Sequence, residues 1–107
     1  MAVVIVNKPI IALMDFVGRE KLAEMLDEFD RLGRADVPEF DSYEIGHIHI
    51  SEEMHYRLRK AKIEMEYRSF NEFITDIVLS YYVRRLGREV VEALLRIAPG
   101  GVSLGEV

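Results

Sequence analysis

Residues 44–82 leave the chain few ways to fold. In Glu44-Ile45-Gly46-His47-Ile48-His49-Ile50 the alternation puts His47 and His49 on one face of a strand and Ile48 and Ile50 on the other. Ser51 is a good helix N-cap, and Glu52 and Glu53 place negative charge in the first turn, where the helix dipole favours it. Met54, Leu58, Ala61 and Met65 then recur on one helical face. After a break at Tyr67-Arg68, Ser69-Phe70-Asn71-Glu72 has capping-box spacing. It opens a second helix whose inner face is Phe73, Ile74, Ile77, Val78 and Tyr81. A single strand with a polar outer face cannot complete a sheet, so this unit requires a second strand.

The run His47-Ile48-His49-Ile50-Ser51-Glu52-Glu53-Met54, then Leu58, Ala61 and Ser69-Phe70-Asn71-Glu72-Phe73-Ile74, resembles the ribbon-helix-helix family of DNA-binding proteins. Members of that family are repressors, plasmid-control proteins and antitoxins. The resemblance implies a mainly α fold with a short β-ribbon, a ribbon-helix-helix homodimer. Two chains pair their strands antiparallel across a two-fold axis, and the ribbon enters the DNA major groove. Ile48, Ile50, Leu58, Ala61, Phe73, Ile74, Ile77 and Val78 would then build the dimer core. The outward ribbon positions Ile45, His47 and His49 would contact bases. An imidazole can donate to a purine edge acceptor or accept from an amino group, according to its tautomer, and Ile45 suits a thymine methyl. The plainer alternative is that these histidines only cover a solvated strand face.

The start of the second helix is the other candidate. Unpaired backbone N–H groups around Ser69, Phe70 and Asn71, together with the positive dipole end, make a seat for a DNA phosphate, and Arg68 adds a cation. Members of the family use this helix end as a backbone clamp. Simple capping by Ser69 and Glu72 accounts for the same residues without DNA. Charge opposes a nucleic-acid role overall, since the chain carries −5. The excess is uneven: residues 1–42 carry −4, residues 43–88 carry +1 and residues 89–107 carry −2. The least acidic segment therefore holds the resemblance, with Arg57, Arg59, Lys60 and Lys62 on its first helix.

Three segments follow from this reading. Residues 1–42 form an N-terminal strand and helical extension, residues 43–86 the ribbon-helix-helix unit, and residues 87–107 a C-terminal helix and tail. In the first, residues 3–6 read as a buried strand closed by Asn7-Lys8-Pro9, and a short helix follows Pro9. Asp15 is placed to cap a longer helix with Leu22, Met25, Leu26, Phe29 and Leu32 inside and Gly33 past its end. Residues 36–42 read as a polar connector. In the last, residues 89–98 read as a helix stopped by Pro99-Gly100-Gly101. Gly18-Arg19-Glu20 and Gly87-Arg88-Glu89 form a faint internal echo, too short to establish a duplication. The terminal helices are expected to pack together as a layer that extends or joins dimers. The apolar, acidic N-terminal region could alternatively hold a protein partner, as in an antitoxin. A third arrangement pairs residues 3–6 with residues 45–50 inside one chain, giving a small α+β domain without a DNA role.

With no cysteine, neither a disulfide nor a thiolate metal site can form. No Gly-rich phosphate loop, nucleophile elbow or helical metalloprotease motif is present, so neither enzyme activity nor a cofactor is expected. His47 and His49 would offer a zinc, nickel or copper site if doubled across a dimer, but a surface pair is more often empty, and no metal is expected. No apolar stretch approaches a membrane span, and residues 2–6 lack the charged lead of a secretory signal, so a cytoplasmic protein is expected. Gln is absent and Asn occurs only at positions 7 and 71, a depletion of thermolabile residues that points to a thermophilic source.

Overall fold

The computed structural model describes residues 1–39, 41–42, 44–98 and 102–103. Strand β1 (Ala2–Asn7) leads into helix α1 (Lys8–Val17), a 3-10 turn (Arg19–Lys21) and helix α2 (Leu22–Leu32). After a connector come β2 (Asp41–Ser42) and β3 (Ile45–Ile50), then α3 (Glu52–Glu64), α4 (Phe70–Leu86), α5 (Arg88–Ile97) and β4 (Val102–Ser103). The fold is mainly helical, with β1 and β3 paired antiparallel and a minor pairing of β2 with β4. Among the described residues, no helix is long and apolar enough to cross a membrane.

The second strand that residues 45–50 require comes from the same chain. Ala2 lies opposite Ile50, Val4 opposite Ile48, and Asn7 opposite Ile45. This differs from the ribbon expected between two copies, and matches the single-chain pairing considered as the third arrangement. The reason is apolar area: Val4 and Val6 point inward beside Ile48, and all three are buried with Ile10, Leu13, Leu58 and Phe73 in one core. Residues read as the core of a dimer are thus the core of one chain. Ile48, Leu58, Phe73, Ile74, Ile77 and Val78 are buried, while Ile50 and Ala61 are half-buried against them.

The order strand, helix, helix occurs twice, in residues 2–32 and 45–86. A half-turn about an axis through the Val4–Ile48 pair exchanges the strands, matching Val3 with His47, Ile5 with His49, and Val6 with Ile50. It also matches Asn7, which ends β1 before α1, with Ser51, which follows β3 and caps α3. Buried Met25, Leu26 and Phe29 of α2 have the spacing of buried Phe73, Ile74 and Ile77 of α4. The echo of Gly18-Arg19-Glu20 in Gly87-Arg88-Glu89 does not follow this repeat. It marks two glycine turns, with φ of 102° at Gly18 and 88° at Gly87, that end α1 and α4.

Three local expectations give way to packing. Asp15 lies inside α1, where its carboxylate takes the Arg19 guanidinium at 2.7 Å, and the 3-10 turn, not an Asp cap, leads into α2. Leu32 is 53% exposed at the end of α2. On α4 the buried ring is Tyr82, whose hydroxyl donates to the Leu13 carbonyl, whereas Tyr81 lies half-exposed with the Arg85 guanidinium 3.6 Å from its ring centroid. A tyrosine buried with a hydroxyl partner satisfies both its ring and its oxygen, so the α4 face rotates by one residue there.

Helix α4 organises the chain. It packs on β1, α1, α2, α3 and α5, so α5 lies on α4, while α1 and α2 belong to the core and form no separate layer with it. The Ser80 hydroxyl is buried and accepts from the Ala35 amide at 3.0 Å, and Arg84 donates to the Gly33 carbonyl, so the connector after α2 is tied to α4. Glu28 of α2 sits between Arg84 at 3.6 Å and Arg85 at 2.8 Å. The hydrogen bond from Arg85 holds the Glu28 carboxyl below its ordinary range. A depressed folded value means that this stabilisation is complete above the unfolded carboxyl pKa of about 4.3 and is lost as pH falls through the lower folded value. Glu28→Gln should therefore flatten the acid-side loss of stability below about pH 4.3, as read from urea midpoints at stepped pH.

Candidate functional site

The ribbon has one buried and one outward face. Val4, Val6 and Ile48 close the inner face over the helices. Outward stand Val3, Ile5 and Ile45, 55%, 58% and 50% exposed, with exposed His47 and His49 between them. The ladder sets Val3 beside His49 and Ile5 beside His47, so aliphatic side chains line β1 and imidazoles line β3. His47 and His49 occupy the face that the sequence predicts, and Ile45 joins them at the ribbon end. Val3 and Ile5 were not among the expected site residues. The signal was weak, because residues 3–6 are all aliphatic and carry no alternation from which to read a face. The side chains across from the two histidines are aliphatic, so the ribbon does not double the imidazole pair into a four-nitrogen metal site. Among the described residues, no group of three or more His, Asp or Glu is gathered as metal ligands.

One helix end is fixed beside this face. The Asn7 amide donates to Asn71 Oδ1 at 2.9 Å, and Asn71 Nδ2 donates to Asn7 Oδ1 at 3.3 Å, which joins the start of α4 to the Asn7–Ile45 end of the ribbon. The chain's two asparagines therefore bond to each other. These bonds occupy the Asn71 side chain, whereas the phosphate contact expected there is through its backbone amide. Ser69 adopts extended backbone, and its hydroxyl accepts from the Glu72 amide at 3.1 Å. The amides of Phe70 and Asn71 remain at the open helix end, where the dipole is positive. The Phe70 ring is half-buried, with the His55 ring at 5.2 Å and the Lys62 ammonium at 5.5 Å from its centroid. Arg68 is exposed, with no ion pair among the described residues. Ser69→Ala should cost about 1 kcal/mol of stability through loss of the cap, measurable by chemical denaturation.

The opposite end of the ribbon is built differently. There α2 starts with no side-chain cap, and Leu22 and Ala23 lie near Ile50 and Ser51. Ala23 stands where α4 has Asn71 and cannot reach the strand. A cleft of about 310 Å³ opens at this end, with apolar walls that include Met14 and Met54 and with His49 and Glu20 among its other lining residues. Each end carries a paired carboxylate, Glu52 at this end with the Met1 amino group at 3.2 Å and Glu44 at the other with Lys8 at 3.3 Å. Elsewhere on α3, Arg57 is held by Asp27 of α2 at 2.6 Å. Gly46 lies at the Asn7–Ile45 end, where a Cβ would fall 2.9 Å from Ile11 Cδ1 of α1, so a larger residue would have to move that side chain.

Comparison with protein-family models, with curated proteins and with solved structures gave no match.

Proposed function

We propose that this chain is a sequence-selective DNA-binding regulator, in which one chain supplies the two-stranded ribbon that two chains supply in ribbon-helix-helix proteins. The observation that carries the reading is the outward ribbon face: two exposed imidazoles and three exposed aliphatic side chains, clear of the helices. A two-stranded ribbon fits the major groove, where imidazoles can address purine edges and aliphatic groups thymine methyls. The α4 start, fixed at the ribbon end by Asn71, would set the register on the phosphates through its free amides and Arg68. With a net charge of −5 the electrostatic contribution is small, so binding depends more on base contacts and shape than on counterion release.

The test compares the parent with a His47→Ala, His49→Ala double variant on a DNA duplex selected by the parent from random sequence. Affinity for the selected duplex should fall at least tenfold, about 1.4 kcal/mol, while circular dichroism and melting stay unchanged because both side chains are exposed. Equal affinity of the double variant would show the base-reader assignment to be wrong. A second reading is favoured by the aliphatic stripe of Val3, Ile5 and Ile45, a composition suited to a protein partner in an antitoxin-like role. Failure to select any duplex, together with self-association or partner capture that Ile5→Asp abolishes, would favour it.

A further inference from the structure

We infer that the DNA site read by this ribbon is non-palindromic, with unlike bases at the positions related by the ribbon's two-fold axis. The inference rests on the DNA-binding reading above. A ribbon made from two identical chains presents the same side chain twice, so its two half-sites are inverted copies. In this chain the axis runs through the Val4–Ile48 pair, and no outward residue beside it meets its own kind. Val3 is exchanged with His47, and Ile5 with His49. One end of the ribbon therefore carries Val3 and His49, and the other carries His47 and Ile5, with the aliphatic and imidazole positions swapped between strands.

The chemistry of these groups differs at the groove floor. An aliphatic side chain finds favourable contact with the thymine C5 methyl and leaves a guanine O6 or adenine N7 without a donor. An imidazole N–H supplies such a donor, and its unprotonated nitrogen accepts from an amino group. A base pair suited to Val3 is thus poorly suited to His47 at the mirror position. The flanking helix ends repeat the difference. The α4 start has the Ser69 cap and is tied to β1 by Asn71, whereas the α2 start has no side-chain cap and lies with Glu20 beside the cleft. The two ends therefore present different groups to the DNA backbone, so the ribbon has a preferred direction along the duplex.

Selection of the full chain from a randomised duplex library tests this directly, with a His47→Val, His49→Ile double variant selected in parallel. The parent should enrich a motif without two-fold symmetry and bind it as one chain per duplex by light scattering. Duplexes in which either half is replaced by the inverted copy of the other should bind about tenfold more weakly. In the double variant Val3 faces a valine and Ile5 an isoleucine across the axis, so its selected motif should become palindromic at those base pairs. A palindromic motif from the parent, or an unchanged asymmetric motif from the variant, would overturn the inference while leaving DNA binding intact. Retention of no duplex by the parent would overturn the DNA reading and this inference with it. Where the parent alone retains DNA, equal binding of the half-inverted duplexes would overturn the inference.

Discussion

Val6→Asp should unfold the chain, whereas Ile5→Asp, one residue earlier on the same strand, should leave it folded. Val6 is fully buried beneath the ribbon and Ile5 is 58% exposed, so the same carboxylate enters the core in one case and water in the other. An unpaired carboxylate in an apolar interior costs several kcal/mol, of the order of the whole stability of a small domain, about 5–15 kcal/mol. The expected readout is loss of helical circular dichroism for Val6→Asp, and for Ile5→Asp a shift in stability below about 1 kcal/mol. The comparison also tests the origin of the ribbon. If β3 paired instead with β3 of a second copy, β1 would lie outside the core and both substitutions would be mild.

How much of this was legible depended on what each residue had to announce. The β3–α3–α4 segment is marked at every step by alternation, by serine caps at Ser51 and Ser69, and by apolar spacing. Both caps form as the sequence predicts, with Met54 and Glu72 amides as their donors. The strand–helix–helix unit of residues 2–32 repeats the same plan with the signals removed. All four residues 3–6 are aliphatic, so no face can be read from them, and their pairing with residues 45–50 is only one of the arrangements the sequence allows. Asn7 occupies the position of Ser51 but makes no side-chain cap, and its polar groups instead meet Asn71, 64 residues away. What the two units share is burial at matching positions, which side-chain identity does not record. The outward face was therefore found only in part: His47 and His49 alternate with isoleucines, while Val3 and Ile5 become visible through the strand register alone.

Phe73→Ala should remove about 3–5 kcal/mol of stability and should do so in a single unfolding transition. Phe73 is fully buried where α4 meets α2, with its ring edge-on to Phe29 at 5.9 Å and 4.8 Å from the Tyr67 ring. The Tyr67 hydroxyl donates to Asp76 at 2.7 Å, and Arg34 reaches the same carboxylate oxygen at 3.1 Å, so the aromatic cluster is bounded by a polar link to the connector after α2. Burial raises the Tyr67 hydroxyl well above its ordinary pKa, which keeps it a donor to Asp76 throughout the neutral range. Truncating Phe73 takes a partner from Phe29 in one strand–helix–helix unit and from Tyr67 in the other, and the cavity lies between them. Because both units share that contact, they should lose stability together, with circular dichroism and tyrosine fluorescence giving coincident urea curves. Two separated transitions would mean that residues 2–32 and 45–86 fold as independent bodies, and the single core on which the one-chain ribbon depends would have to be abandoned.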